Sequence, residues 1–144
     1  MRVADVPKDS WVIDLGAGDG FALTHWERVL NGKHIGIDNC RQCIRAALNN
    51  GANVVHGDIC TLNIRSTWYG VASAIETLRY CRQPQLAINE ASRVLLHGGW
   101  LLIVDGSDFR EDVAKHPALM TVATRQRNGM WRIAARKVES CVPV

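Results

Sequence analysis

Short apolar runs alternate with amphipathic stretches along most of this chain, and the alternation predicts strands and helices in turn. Trp11–Leu15 reads as a buried strand and Phe21–Leu30 as a helix stopped by Asn31-Gly32. His34–Asp38 follows as a second strand, Arg41–Leu48 as a helix ended by Asn49-Asn50-Gly51, and Asn53–His56 as a third strand. Trp68–Ile75 is an almost unbroken run of small and apolar residues, which suits a central strand covered on both faces. Pro84 fits the first turn of a helix, and the segment it opens is predicted helical to Leu96, with His97-Gly98-Gly99 as its stop. Trp100–Val104 is a fifth strand ending in Asp105, and a short helix is expected over Phe109–His116, closed by Pro117.

The tail changes period. Leu119–Arg125 and Met130–Lys137 flank Gln126-Arg127-Asn128-Gly129, and Asn-Gly between alternating runs predicts a β-hairpin. Strand–helix alternation with crossover connections implies an α/β, doubly wound, mostly parallel sheet, and the hairpin adds an antiparallel pair at its end. No repeat, low-complexity tract or linker interrupts the pattern, so residues 1–144 are expected to form one domain.

Composition narrows the class only a little. An apolar share of 47% with 22% charged residues is that of a soluble globular chain. Seventeen basic against 14 acidic side chains give a net charge of +3, too mild to argue for nucleic acid or membrane. No apolar run has signal-peptide or bilayer-spanning length, which points to the cytoplasm. The five cysteines (Cys40, Cys43, Cys60, Cys81, Cys141) are odd in number and lack a framework spacing, as expected of reduced thiols. Cys40-Arg41-Gln42-Cys43 sits between a predicted strand and a predicted helix, where a redox pair or half a zinc site would lie. Zinc would need a second ligand pair, none is visible, and no metal is expected.

The chemistry concentrates in Val12-Ile13-Asp14-Leu15-Gly16-Ala17-Gly18-Asp19-Gly20. A strand ending in an acid, a glycine turn and a helix bring backbone close to a ligand at the carboxyl edge of a sheet. A loop built for pyrophosphate uses bare amides and a helix N-terminus, where Asp14 and Asp19 would repel it. These acids suggest a ligand with positive charge. Strands one to three each end in or near an aspartate: Asp14, Asp38 and Asp58. Asp38 can accept from a ribose diol, Asp58 from an adenine amino group, and Asp14 can sit near an ammonium or sulfonium. A nicotinamide dehydrogenase would also place an acid near Asp38, but its fingerprint needs a small residue where Phe21 stands.

In these motifs the chain resembles the class I S-adenosylmethionine-dependent methyltransferases, in a minimal version of their small-molecule, type 11 branch. Val12–Gly20 is similar to their first motif, Gly36-Ile37-Asp38 to the second, Gly57-Asp58-Ile59 to the adenine-binding motif, and Arg93–Asp105 to the R-V-L-K-P-G-G turn with its strand. The resemblance covers about Trp11 to Asp105 and implies a Rossmann-like, seven-stranded sheet that the hairpin completes. It implies S-adenosyl-L-methionine as cofactor, with Asp14, Gly16, Ala17 and Gly18 around the methionine moiety, Asp38 at the ribose, and Asp58, Ile59 and Asn39 at the adenine. Ser73, near the end of strand four, would face the methionine end.

Methyl transfer to a hydroxyl or ammonium also needs a base at the carboxyl edge, and Glu76, Tyr80 and Asp105 are the candidates. His97 lies in the turn before strand five, at the opposite edge; His25 sits within the first helix, and His56 lies by the adenine loop. Neither the Asn/Asp-Pro-Pro-aromatic signature of exocyclic-amine methyltransferases nor a Pro-Cys nucleophile is present. The expectation is therefore transfer to a small-molecule O, N or S nucleophile. Strand one begins at Trp11 and the segments after strands four and five are short, so no substrate lid is apparent. Either a large substrate, a second copy or a partner subunit covers the pocket, or it stays open. The alternatives are methylation of RNA or protein, docked on the acid-free run Arg125, Arg127, Arg132, Arg136 and Lys137, or a non-catalytic cofactor-binding subunit. The run also alternates like a half-buried strand whose cations protect an edge. No membrane contact is expected.

Overall fold

A computed structural model describes residues 6–139, so Cys141 lies outside the described residues. Seven strands, β1 (Val12–Leu15), β2 (His34–Asp38), β3 (Val54–His56), β4 (Tyr69–Ile75), β5 (Leu95–Asp105), β6 (Leu119–Arg127) and β7 (Met130–Lys137), form one sheet. Their spatial order is β3-β2-β1-β4-β5-β7-β6. The first five run parallel, and β7 lies antiparallel between β5 and β6. Strand order reverses between β1 and β4, which opens a crevice at their carboxyl ends.

Helices α1 (Phe21–Val29), α2 (Arg41–Asn49), α3 (Pro84–Val94) and α4 (Arg110–Ala114) cover the sheet. Alternate residues of β1 serve the two faces, as the pleat requires. Ile13 and Leu15 join the core with Ala87, Ile88 and Ala91 of α3, whereas Val12 packs with Trp26 of α1. Ile13, Leu15, Ile88 and Leu101 have at most 1% of their surface exposed. Burying each such side chain contributes roughly 1.5–3 kcal/mol, so the central strands hold the crevice walls rigidly.

The observed boundaries follow the hydrophobic pattern except at one place. The helix opened by Pro84 ends at Val94, and β5 begins at Leu95 rather than Trp100. Leu95 pairs with Tyr69, the chain then bulges through His97-Gly98-Gly99, and Trp100 re-enters opposite Val71. Gly98, with φ of 76°, allows the bulge. The predicted helix over Phe109–His116 is shorter, Arg110–Ala114. The hairpin matches its expected turn: Asn128 and Gly129 both take positive φ, 53° and 72°, as a type I′ turn requires. Along β7, Ile133 and Ala135 are buried while Arg132 and Arg136 face solvent, and in β6 only Leu119 is buried.

Arg93 explains its own place in the R-V-L-type turn. Its guanidinium donates to the carbonyls of Leu62 and Ile64 and to Ser66, and it pairs with Glu90. Glu90 in turn accepts the Leu62 N–H at 2.6 Å. One arginine on α3 thus fixes the long connection from β3 to β4.

Candidate active site at the carboxyl edge of the sheet

The glycine turn lies against the end of β2. Gly16 and Ala17 donate their N–H groups to the Ile37 carbonyl at 2.8 and 3.1 Å. Gly16 takes φ of 71°, and the Thr77 side chain fills the space where its Cβ would be. Gly18 also needs positive φ, 56°, but a Cβ there would meet nothing within 4 Å. The two positions therefore differ. Gly16→Ala should lower the melting temperature by several degrees or prevent folding, since strain of about 1–2 kcal/mol adds to a collision. Gly18→Ala should cost only the strain, about 1 kcal/mol, and thermal melts of the two variants would rank them.

Asp38 organises the crevice. Its Oδ2 accepts the Gly18 N–H at 2.8 Å and its Oδ1 accepts the Cys40 N–H at 2.7 Å, so one carboxylate ties the glycine loop to the start of α2. Asp58 accepts the Cys60 N–H at 2.8 Å and remains exposed. Asp38, Asn39, Asp58 and Ile59 line one cleft of about 690 Å³, joined by Gly16, Glu76 and Tyr80. That volume lies within the range of small-molecule sites.

Asp14 is close to the cleft but not among its lining residues. It is 3% exposed, and its Oδ1 accepts the Ser73 hydroxyl at 2.6 Å. Ser73 in turn accepts the Trp26 indole N–H at 3.3 Å. Burial pushes the Asp14 carboxyl up to about 7; the Ser73 hydrogen bond opposes the rise and the nearby Asp38 charge adds to it. No cation pairs with Asp14 among the described residues. Ser73, expected at the methionine end, is fully buried and donates to Asp14. Ala17 is likewise packed, between α1 and α2.

The candidate bases separate. Glu76 follows β4 with φ of 50°, in the left-handed region that a non-glycine residue enters only under constraint. Its N–H bonds the Val104 carbonyl at 2.7 Å, and its carboxylate pairs with Arg79. Tyr80 is 76% exposed, with the Arg79 guanidinium 5.1 Å from its ring centre. Asp105 has no exposed surface. It accepts N–H groups from Arg79 at 3.4 Å and Ser107 at 3.1 Å, so it anchors the loops rather than facing the cleft. Of the histidines set aside, His25, His56 and His97 are all exposed.

A family model described as a methyltransferase domain matches residues 13–103. The chain belongs to that family. By family and fold it is a class I methyltransferase domain, which implies S-adenosylmethionine as its cofactor. No curated protein matches it at the sequence level. Solved structures share its architecture. A chain from the Haloferax volcanii complex of the Trm112 methyltransferase activator with a methyltransferase candidate superposes with a TM-score of 0.84 at 14% identity, covering 93% of this chain and 85% of that one. An S-adenosylmethionine-dependent methyltransferase from Aquifex aeolicus gives 0.77 at 17%, over 92% and 85%. The [4+2]-cyclase SpnF gives 0.80 at 14%, over 94% and 79%. At such identities the likeness is one of fold.

The donor set of this methyltransferase fits a cationic nucleoside. Asp38, Asp58 and Glu76 line the cleft, with Arg82 as its one cationic lining residue among the described residues, and Asp14 lies behind the loop. Sequence reasoning missed Thr77, which packs on Gly16, and Trp26, which supports Ser73. Trp26 stands three residues after Leu23, on the buried stripe of α1, and that spacing was its signal. The Glu76–Arg79 pair was also legible as an i,i+3 spacing. Among the described residues no helix is long and apolar enough to cross a membrane.

Proposed function

We propose that this protein transfers a methyl group from S-adenosylmethionine to a small-molecule O, N or S nucleophile, with Glu76 or Tyr80 accepting the proton. One observation carries the reading: carboxylates line a cleft of small-molecule size around a glycine turn that Asp38 holds in place. When bound, the cofactor supplies an electrophilic methyl group, and the chain's work is placement. Asp38 accepts from the ribose diol. Asp58, Ile59 and Asn39 take the adenine, and the Gly16 and Gly18 backbone lies along the methionine moiety. Ser73 fixes Asp14, whose carboxylate answers the positive charge. At the mouth, Arg79 aims Glu76 across the cleft, and Asp105 holds Arg79 from beneath.

Labelled methyl groups followed into a fractionated extract test the reading: label is expected in small metabolites, and label in RNA or protein would overturn that acceptor class. With the acceptor in hand, Glu76→Gln or Tyr80→Phe should lower kcat about 100-fold or more if that group is the base. Affinity for S-adenosylhomocysteine should change far less than kcat, by no more than a few-fold. Neither variant lowering kcat more than threefold would remove both from the role.

A second reading, RNA as acceptor, is favoured by one register. Arg125 stands directly opposite Arg132, Arg132 opposite Val104, and Val104 opposite Ile75, so an arginine row extends from the cleft edge. Like charges directly opposed cost stability, and neither arginine has an acidic partner among the described residues. The Haloferax relative, solved with its activator, supports a partner subunit as cover for the mouth.

A further inference from the structure

The methyl-transfer reading makes no use of Cys40-Arg41-Gln42-Cys43. Cys40 is the N-cap of α2, and its Sγ accepts the Cys43 N–H at 3.3 Å. The Cys43 thiol also donates to that sulfur, with the two Sγ atoms 2.6 Å apart. Both are free and partly exposed. Two hydrogen bonds, one of them from a first-turn amide of a nine-residue helix, thus converge on one sulfur, which favours its thiolate. Cys60 and Cys81 lie beside each other as a second thiol pair, but their thiols donate to the carbonyls of Gln83 and Thr77 and neither is the N-cap of a helix.

We propose that Cys40 and Cys43 form a thiol–disulfide exchange site that takes a low-molecular-weight disulfide, with Cys40 attacking and Cys43 resolving. The Cys40 thiolate attacks one sulfur of the disulfide RSSR and expels RS⁻, leaving a Cys40–S–SR mixed disulfide. Cys43 then gives up its proton and attacks the Cys40 sulfur, expelling the second RS⁻. Two protein thiols are oxidised to one disulfide, and RSSR is reduced to two RSH. The two sulfurs already lie side by side at the start of α2, so closure joins adjacent atoms. The hydrogen bonds from Cys43 pull the Cys40 thiol below its ordinary range. Donation to Cys40, with burial and the neighbouring charge, pushes Cys43 up to about 11, and burial first of all pushes Cys81 to about 11. This division suits an attacking and a resolving thiol. Because Asp38 bonds the Cys40 N–H, the pair sits at the edge of the cofactor cleft. The exchange chemistry itself does not depend on the methyl-transfer reading.

The test equilibrates the reduced full-length protein with buffers of reduced and oxidised glutathione, then quenches, alkylates and maps the cysteines by mass spectrometry. A Cys40–Cys43 disulfide is expected at glutathione ratios that leave Cys60 and Cys81 reduced. Cys43→Ser should accumulate a Cys40–glutathione adduct, and Cys40→Ser should accumulate at least about tenfold less at Cys43, since each pKa unit changes the thiolate fraction tenfold. Serine is a good N-cap, so α2 should survive the second variant, and circular dichroism would verify it. Glutathione spread evenly over the cysteines, no 40–43 disulfide at any ratio, or zinc retained one-to-one by the same cysteines with Asp38 would overturn the proposal.

Discussion

Asp14→Asn should make the ligand-free protein more stable and its cofactor site worse. The carboxyl rises from an ordinary 3.8 to about 7 on folding, so the native state prefers it protonated. For an acid shifted in this direction, stability is complete below the unfolded value, falls as pH climbs through the interval, and stays low above the folded value. The full shift corresponds to roughly 4 kcal/mol at pH 8 as an upper figure. Asparagine removes the buried charge yet still accepts from Ser73. The variant should melt roughly 5–15 °C higher at pH 8 and match the parent near pH 4. Its affinity for S-adenosylmethionine should fall about tenfold or more, because a neutral amide cannot answer the ligand's charge. In the parent, affinity should improve as pH rises toward 7 and above, while the variant stays flat. Calorimetric titrations and melts across that interval check both halves, and a variant that melts lower at pH 8 would contradict the buried-charge argument.

Asp38→Ala should lose cofactor affinity about 30- to 1,000-fold, the range of two charge-assisted hydrogen bonds worth about 2–4 kcal/mol together. The same change strips the acceptor from the Gly18 and Cys40 N–H groups, so the loop loosens as the ribose contact disappears. Asp38→Asn should be nearly as harmful. Both carboxylate oxygens face backbone donors, and the amide nitrogen of asparagine would turn one hydrogen bond into donor against donor. Isothermal titration with S-adenosylhomocysteine measures this, and affinity within threefold of the parent would remove Asp38 from the ribose.

These two acids show what kind of information a linear sequence carries. Asp14, Asp38 and Asp58 were legible because strand ends in a doubly wound sheet all reach one edge, and position along the chain is enough to place them. Depth is harder to read. Ser73 and Asp105 also lie near strand ends, yet both are fully buried; Ser73 serves the Asp14 side chain and Asp105 the backbone N–H groups of Arg79 and Ser107. Period-2 alternation assigns a face, but the neighbours that close over it come from α1 and from the turn carrying Arg79, distant in sequence. The bulge at His97-Gly98-Gly99 was misplaced for a related reason. Leu95 is helix-compatible by local preference, and only its pairing with Tyr69 across the sheet makes it strand. The hairpin, whose turn is encoded by two adjacent residues, needed no such remote information.

The Arg93 guanidinium has a kinetic meaning. Leu62 offers its carbonyl to Arg93 and its N–H to Glu90, both on α3. Leu62, just beyond the adenine end of the cleft, is therefore tied through both of its backbone groups to α3, and its N–H is freed only when that helix gives way. Loosening at Leu62 is thereby coupled to a whole helix, whereas the mouth beside Tyr80 is held only by the surface pairs of Arg79.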